Sequence, residues 1–142
     1  MSDSKEIIAQ KVSTLFEKIE RLKKYKGVSF NEFSENQDTR DIIERNLQVA
    51  IEAGIDIGKI IISYMNLREP IDNKDVFKVL SENGIISQES LDFLMPMAGT
   101  RNVFVHGYDK VDEAIIFGIL KRHLEDFYKY LAEIKRHYLD KA

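Results

Sequence analysis

The sequence predicts an all-α fold, and three observations carry that prediction. Apolar residues recur at spacings of three and four through almost all of the 142 residues, which places them on one face of successive helices. Glycine and proline are scarce, seven and two respectively, so long stretches run without a breaker. No segment alternates apolar and polar residues as a half-buried strand does. The chain reads as one domain over residues 1–142, with no internal repeat, and is long enough to enclose its own core.

A first helix is expected from Ser4 to Lys26, with Ile8, Val12, Leu15, Ile19 and Leu22 as its apolar stripe and Gly27 closing it. Val28 to Asn36 reads as a connection that Phe30 and Phe33 pin to the core. A long second helix is expected from Asp38 to Asn66, ended by Arg68-Glu69-Pro70 because proline disfavours helix at the residue before it. Asp72 or Asn73 caps a short third helix, which Asn83-Gly84 terminates. Ser87 caps a fourth, interrupted or kinked near Pro96 and ending at Gly107. Asp109 caps a fifth, from Lys110 to Leu139, with Val111, Ile115, Leu120, Leu124, Phe127, Leu131 and Ile134 facing inward. The expected architecture is a bundle of about five helices, with a long second and a long C-terminal helix.

Composition narrows the function. The absence of cysteine removes disulfides, zinc–thiolate sites and thiol nucleophiles. The N-terminal Met-Ser-Asp-Ser-Lys-Glu lacks a secretory profile, and the most apolar stretch, Ile51 to Met65, is interrupted by Glu52, Asp56 and Lys59. A soluble, cytoplasmic protein with no membrane partner is expected. A net charge of −3 gives no global basic field for nucleic acid, so any contact with RNA must be local. Lys23, Lys24, Lys26 and Arg40 are candidates for gathering positive potential, although a lysine run also suits a solvated face.

Two features of the second helix stand out. Arg45, Gln48, Glu52, Asp56 and Lys59 follow at spacings of three or four and form a single polar seam on an otherwise apolar helix. That seam is either a solvated face or the lining of a cleft, with Glu52 and Asp56 as the cleft-lining candidates. Ala50, Gly54 and Gly58 make a stripe of small residues. Interior glycines cost about 1 kcal/mol each relative to alanine, so a closely packed helix is expected there, from this chain or from a partner.

The chemistry concentrates in Arg101-Asn102-Val103-Phe104-Val105-His106-Gly107-Tyr108. Arginine neutralises phosphate oxygens bidentately and histidine moves a proton near neutral pH, as phosphodiester cleavage without a metal requires. Arg101 and His106 lie five apart, about 140° around an ideal helix, so they share a face only if the helix is distorted or a cleft closes around both. As structure alone, the same residues suit a helix C-terminus: a cation for the dipole, Gly107 as the stop and Tyr108 packed under the next helix. His123 and His137 read as surface residues, and no His/Asp/Glu spacing suggests a metal site.

Two blocks resemble a known family. Arg45-Asn46-Leu47-Gln48-Val49-Ala50-Ile51-Glu52-Ala53-Gly54-Ile55-Asp56 is similar to the second helix of HepT-like proteins of the HEPN superfamily. Met97-Ala98-Gly99-Thr100-Arg101-Asn102-Val103-Phe104-Val105-His106-Gly107-Tyr108 resembles the family signature, with Thr100 standing where a larger apolar residue is expected. The resemblance implies an antiparallel helical bundle of the HEPN type. It also implies a ribonuclease toxin, acting as a homodimer, paired with a minimal nucleotidyltransferase (MNT) antitoxin that transfers AMP from ATP to the motif tyrosine. On this chain Arg101 and His106 would be catalytic, Asn102 would assist and Tyr108 would be modified, with RNA as substrate and neither cofactor nor metal. Two alternatives remain: a non-catalytic helical module binding a nucleotidyltransferase or a nucleotide, and a plain scaffold that dimerises through the Ala50-Gly54-Gly58 stripe.

Overall fold

The computed structural model describes residues 2–101 and 110–138. These form seven helices: α1 (Ser2–Lys23), α2 (Phe30–Glu35), α3 (Gln37–Tyr64), α4 (Asn73–Glu82), α5 (Gln88–Gly99), α6 (Lys110–Arg122) and α7 (Leu124–Tyr138). No strand occurs among the described residues, so the all-α expectation holds. Among the described residues, no helix is long and apolar enough to cross a membrane.

Helix α3 is the axis. Helix α1 runs along it, and α2, α4 and α5 also pack against it. The predicted α1 stripe is buried without exception: Ile8, Val12, Leu15, Ile19 and Leu22 face Ile43, Leu47, Ile51 and the rest of one continuous core. Burying a side chain of this size stabilises by about 1.5–3 kcal/mol, so this pairing is a major contributor to the fold.

The small-residue stripe is explained within the chain. The Tyr130 hydroxyl on α7 donates to the Gly54 carbonyl at 2.8 Å. A Cβ on Gly58 would meet Val76 of α4 at 2.5 Å and Leu80 at 3.3 Å. Glycine is required where α4 crosses, and the stripe offers no surface for a partner subunit. The scaffold reading built on it loses its basis.

Helix α1 runs from Ser2 to Lys23, and Lys24 to Lys26 continue as turns in which the Lys26 amide bonds the Lys23 carbonyl at 3.2 Å, not as helix up to Lys26. Further boundaries differ from expectation, each for a local reason. Val28 to Asn36 contains a helix: Ser29 Oγ accepts from the Glu32 amide at 3.1 Å, the capping geometry of Ser-x-x-Glu. Asn36 then caps α3 by accepting from the Thr39 amide at 3.1 Å. Helix α3 stops at Tyr64 because Asn66 turns left-handed at φ 55° and the Leu67 amide closes back onto the Ile62 carbonyl at 3.0 Å. Helix α5 stops at Gly99, well before Gly107, because Thr100 folds both its amide (3.0 Å) and its hydroxyl (2.7 Å) onto the Met97 carbonyl.

The fifth predicted helix is two, broken at His123. Lys121 and Arg122 end α6, while Glu125 and Asp126 open α7. This reversal of charge favours a C-terminus followed by an N-terminus. The His123 ring stacks on Phe93 with centroids 5.3 Å apart, and its Nδ1 lies 2.9 Å from Asp126. Of the predicted inward residues, Leu120, Leu124, Phe127, Leu131 and Ile134 are buried, Ile115 is exposed with Ile116 taking its place, and the Val111 side chain lies outside the described residues.

The predicted caps Asp72 and Ser87 hold, and an Arg68 clamp fixes the turn before α4. Its guanidinium grips Asp75 at 2.7 and 2.8 Å and Glu82 at 2.9 and 3.0 Å. Asp75 also accepts from the Ile71 amide at 3.0 Å. The Arg68 hydrogen bonds, then that amide, hold the Asp75 carboxyl down to about 2. The clamp sets the start of α4 beside the polar seam of α3.

Candidate active site at the α3 seam

The polar seam of α3 separates into two regions. Toward its C-terminal half, Glu52, Asp56 and Lys59 line a cleft of about 340 Å³ with Ile55, Asn73 and Arg101. Arg101, the residue after the Thr100 cap of α5, lines this cleft. Its Nε lies 3.9 Å from Glu52 Oε1, an ion pair too long for a hydrogen bond. The two side chains are 41% and 38% exposed, so solvent screens the attraction and both groups stay accessible.

Neighbouring contacts set the remaining charges. Gln48 Nε2 donates to Glu52 Oε1 at 3.4 Å, and Lys11 of α1 pairs with Asp56 Oδ2 at 3.4 Å. The cleft wall therefore carries two carboxylates and two cations in near balance. A phosphate entering it would meet the Arg101 guanidinium held loosely by Glu52. Asn73 was not anticipated from sequence. It follows the Asp72 cap and brings the first turn of α4 to the cleft, a position legible only once α4 is known to cross Gly58. Lys74 lies over Gly99, where a Cβ would meet its Cε at 2.8 Å.

Of the predicted site residues, the structure therefore brings Arg101, Glu52 and Asp56 to one cleft. Asn102, His106 and Tyr108 lie outside the described residues, as does the predicted cap Asp109. His123 is partly exposed and engaged with Phe93 and Asp126, away from this cleft. Among the described residues, no group of three or more His, Asp or Glu side chains is placed to hold a metal ion.

Comparison with known proteins gives this arrangement its context. The family model described as ribonuclease HepT-like matches residues 15–134. The mRNA nuclease HepT of Shewanella oneidensis is 33% identical over 130 residues, covering 92% of this chain and 97% of that protein. The tRNA nuclease HepT of Aphanizomenon flos-aquae is 27% identical over 128 residues, covering 90% and 87%. A solved structure of the tri-AMPylated Shewanella oneidensis HEPN toxin with its MNT antitoxin superposes with a TM-score of 0.81 at 32% identity, covering 92% of this chain and 97% of that one. The helical bundle, the cleft presenting Arg101 and these matches agree: the chain belongs to the ribonuclease HepT-like family of the HEPN superfamily.

Proposed function

We propose that this protein is the toxin of a toxin–antitoxin pair, an endoribonuclease that works without a metal ion at the cleft of a homodimer. A minimal nucleotidyltransferase antitoxin silences it by transferring AMP from ATP to Tyr108. The observation that carries this reading is the position of Arg101, which lines the α3 seam beyond the end of α5 and pairs loosely with Glu52. The HepT names and the AMPylated toxin–antitoxin neighbour support it.

RNA carries its own nucleophile. The 2′-OH attacks the adjacent phosphorus, the bond to the 5′-oxygen breaks, and a 2′,3′-cyclic phosphate and a 5′-OH result. One group must take the 2′-OH proton, another must protonate the leaving oxygen, and a cation must stabilise the charge on the phosphorane. In this proposal Arg101 stabilises the phosphorane, leaving Glu52 for the phosphate, and His106 performs one proton transfer. The corresponding histidine of a second subunit performs the other, and Asn102 orients the phosphate. Glu52 and Asp56 line the cleft and limit how deep the polyanion can sit.

AMP on Tyr108 would place a phosphate and a bulky nucleotide beside the motif, occupying Arg101 and obstructing RNA. The test is intact-protein mass after incubation with the candidate nucleotidyltransferase and ATP. A gain in whole AMP units, absent from Tyr108→Phe, is the expected result. No gain, or an equal gain in Tyr108→Phe, would remove the modification from the account.

A further inference from the structure

The other region of the α3 seam is a second cleft, of about 730 Å³, between the C-terminal half of α1 and the N-terminal half of α3. Lys18, Arg21, Lys24 and Arg45 line it, with Asp41 as the one acidic lining residue and Tyr25 forming part of the wall. Glu17 pairs with Arg21 at 3.2 Å and with Lys18 at 3.6 Å. With Glu17 counted, four cations face two carboxylates there, whereas at the Arg101 cleft, with Lys11 counted, three cations face two carboxylates. In a chain of net charge −3 this is a local concentration of positive charge.

Its placement matters as much as its sign. Arg45 and Glu52 are seven residues apart on α3, so they share a helix face about 10 Å apart, and Asp56 lies about 16 Å from Arg45. That span corresponds to about three to five stacked nucleotides at about 3.4 Å each. Among the other cations suggested by sequence, Arg40 is committed to Glu44 at 3.5 Å and Glu113 at 3.2 Å, and Lys23 to Glu20 at 3.6 Å. Of those four, only Lys24 opens onto this cleft.

We propose that Lys18, Arg21, Lys24 and Arg45 form a subsite for the backbone of single-stranded RNA a few nucleotides from the scissile phosphate, with Tyr25 as a surface for a base. The subsite rests on the ribonuclease reading for its purpose. It answers a problem that reading leaves open, since a cleft with a small excess of cations in an acidic protein holds a polyanion weakly. Arg21 and Lys18 exchange Glu17 for phosphate, and the exposed Lys24 and Arg45 bind it directly. The chemistry is sequence-tolerant, because phosphate contacts position the strand and do not read bases.

The test separates binding from cleavage. A fluorescent, 2′-O-methylated single strand of about 12 nucleotides lacks the nucleophile, and its affinity is measured by anisotropy between about 50 and 200 mM salt. Each single-strand phosphate contact contributes about 0.7 to the slope of log affinity against log salt. The double variant K24Q/R45Q is expected to lower the slope by about 1.4, or about 25-fold in affinity at 0.1 M salt. The conservative K24R/R45K pair is expected to keep the parent's slope, which a merely structural role would not predict. Unchanged affinity and slope in K24Q/R45Q would overturn the subsite, as would a parent that does not bind the strand. A loss confined to binding of the nucleotidyltransferase would also overturn it and assign the patch to that protein. Salt-dependent binding lost in K24Q/R45Q would support the subsite even if the unmodified protein cleaved no RNA, in which case only the nuclease reading would fail.

Discussion

Two glycines one turn apart on α3 are expected to respond differently to alanine. Glycine to alanine inside a helix stabilises by about 0.8–1.0 kcal/mol when the site has room. At Gly54 the new Cβ would stand 3.7 Å from Tyr130 Cε2, an ordinary van der Waals contact, so Gly54→Ala should stabilise by about 1 kcal/mol. At Gly58 the Cβ would lie 2.5 Å from Val76 Cγ1 and 3.3 Å from Leu80 Cδ1. Both neighbours are branched side chains in the closed core, and overpacking of this kind costs about 1–3 kcal/mol. Set against the helix gain, Gly58→Ala should be neutral to about 2 kcal/mol destabilising. Urea unfolding at one fixed protein concentration measures both, the concentration being held because association shifts apparent stability. Adding Val76→Ala should recover part of the loss in Gly58→Ala and none in Gly54→Ala, a coupling readable from a double-mutant cycle. Equal effects at the two sites, or stabilisation by Gly58→Ala, would refute the assignment of Gly58 to the α3–α4 crossing.

Other contacts give their own tests. Glu133 of α7 is buried and accepts from the Ser87 amide at 3.0 Å and the Ser90 hydroxyl at 2.5 Å, so Glu133→Ala should destabilise by about 2–3 kcal/mol in the same urea assay. Burial pushes the Glu44 carboxyl up to about 7, only partly opposed by Arg40. The native state then holds a proton that the unfolded chain releases above about 4.5, so Glu44 lowers stability progressively from pH 4.5 to 7. Glu44→Gln should flatten that part of the stability–pH curve. Asp75 acts in the opposite sense: its stabilisation is complete above the ordinary aspartate value of 3.8 and is lost as pH falls through about 2. Asp75→Asn should therefore destabilise at neutral pH and show a shallower acid transition.

The sequence made the helical faces legible because burial follows the 3.6-residue period, as the wholly buried Ile8–Leu22 stripe shows. Boundaries were harder. The Ser29-Phe30-Asn31-Glu32 cap was present as a pattern, but six residues of helix carry too little periodicity to reveal it. The break at His123 has neither glycine nor proline, and the apolar pattern runs through it; only the change from basic to acidic residues marks it. For the site, the seam was visible as spacing, but whether Glu52 and Asp56 met Arg101 depended on where α5 ended. Thr100 makes that end by bonding Met97. Asn73 could not be found at all, because its place depends on two helices distant in sequence crossing at Gly58.

The most direct test of the central claim is RNA cleavage in EDTA by protein whose intact mass excludes AMP, beside Arg101→Ala, His106→Ala and Tyr108→Phe. The account predicts cleavage by the parent and by Tyr108→Phe, with Arg101→Ala and His106→Ala reduced at least about 100-fold. No cleavage of a broad RNA panel by unmodified dimeric protein, or cleavage indifferent to Arg101→Ala, would contradict it.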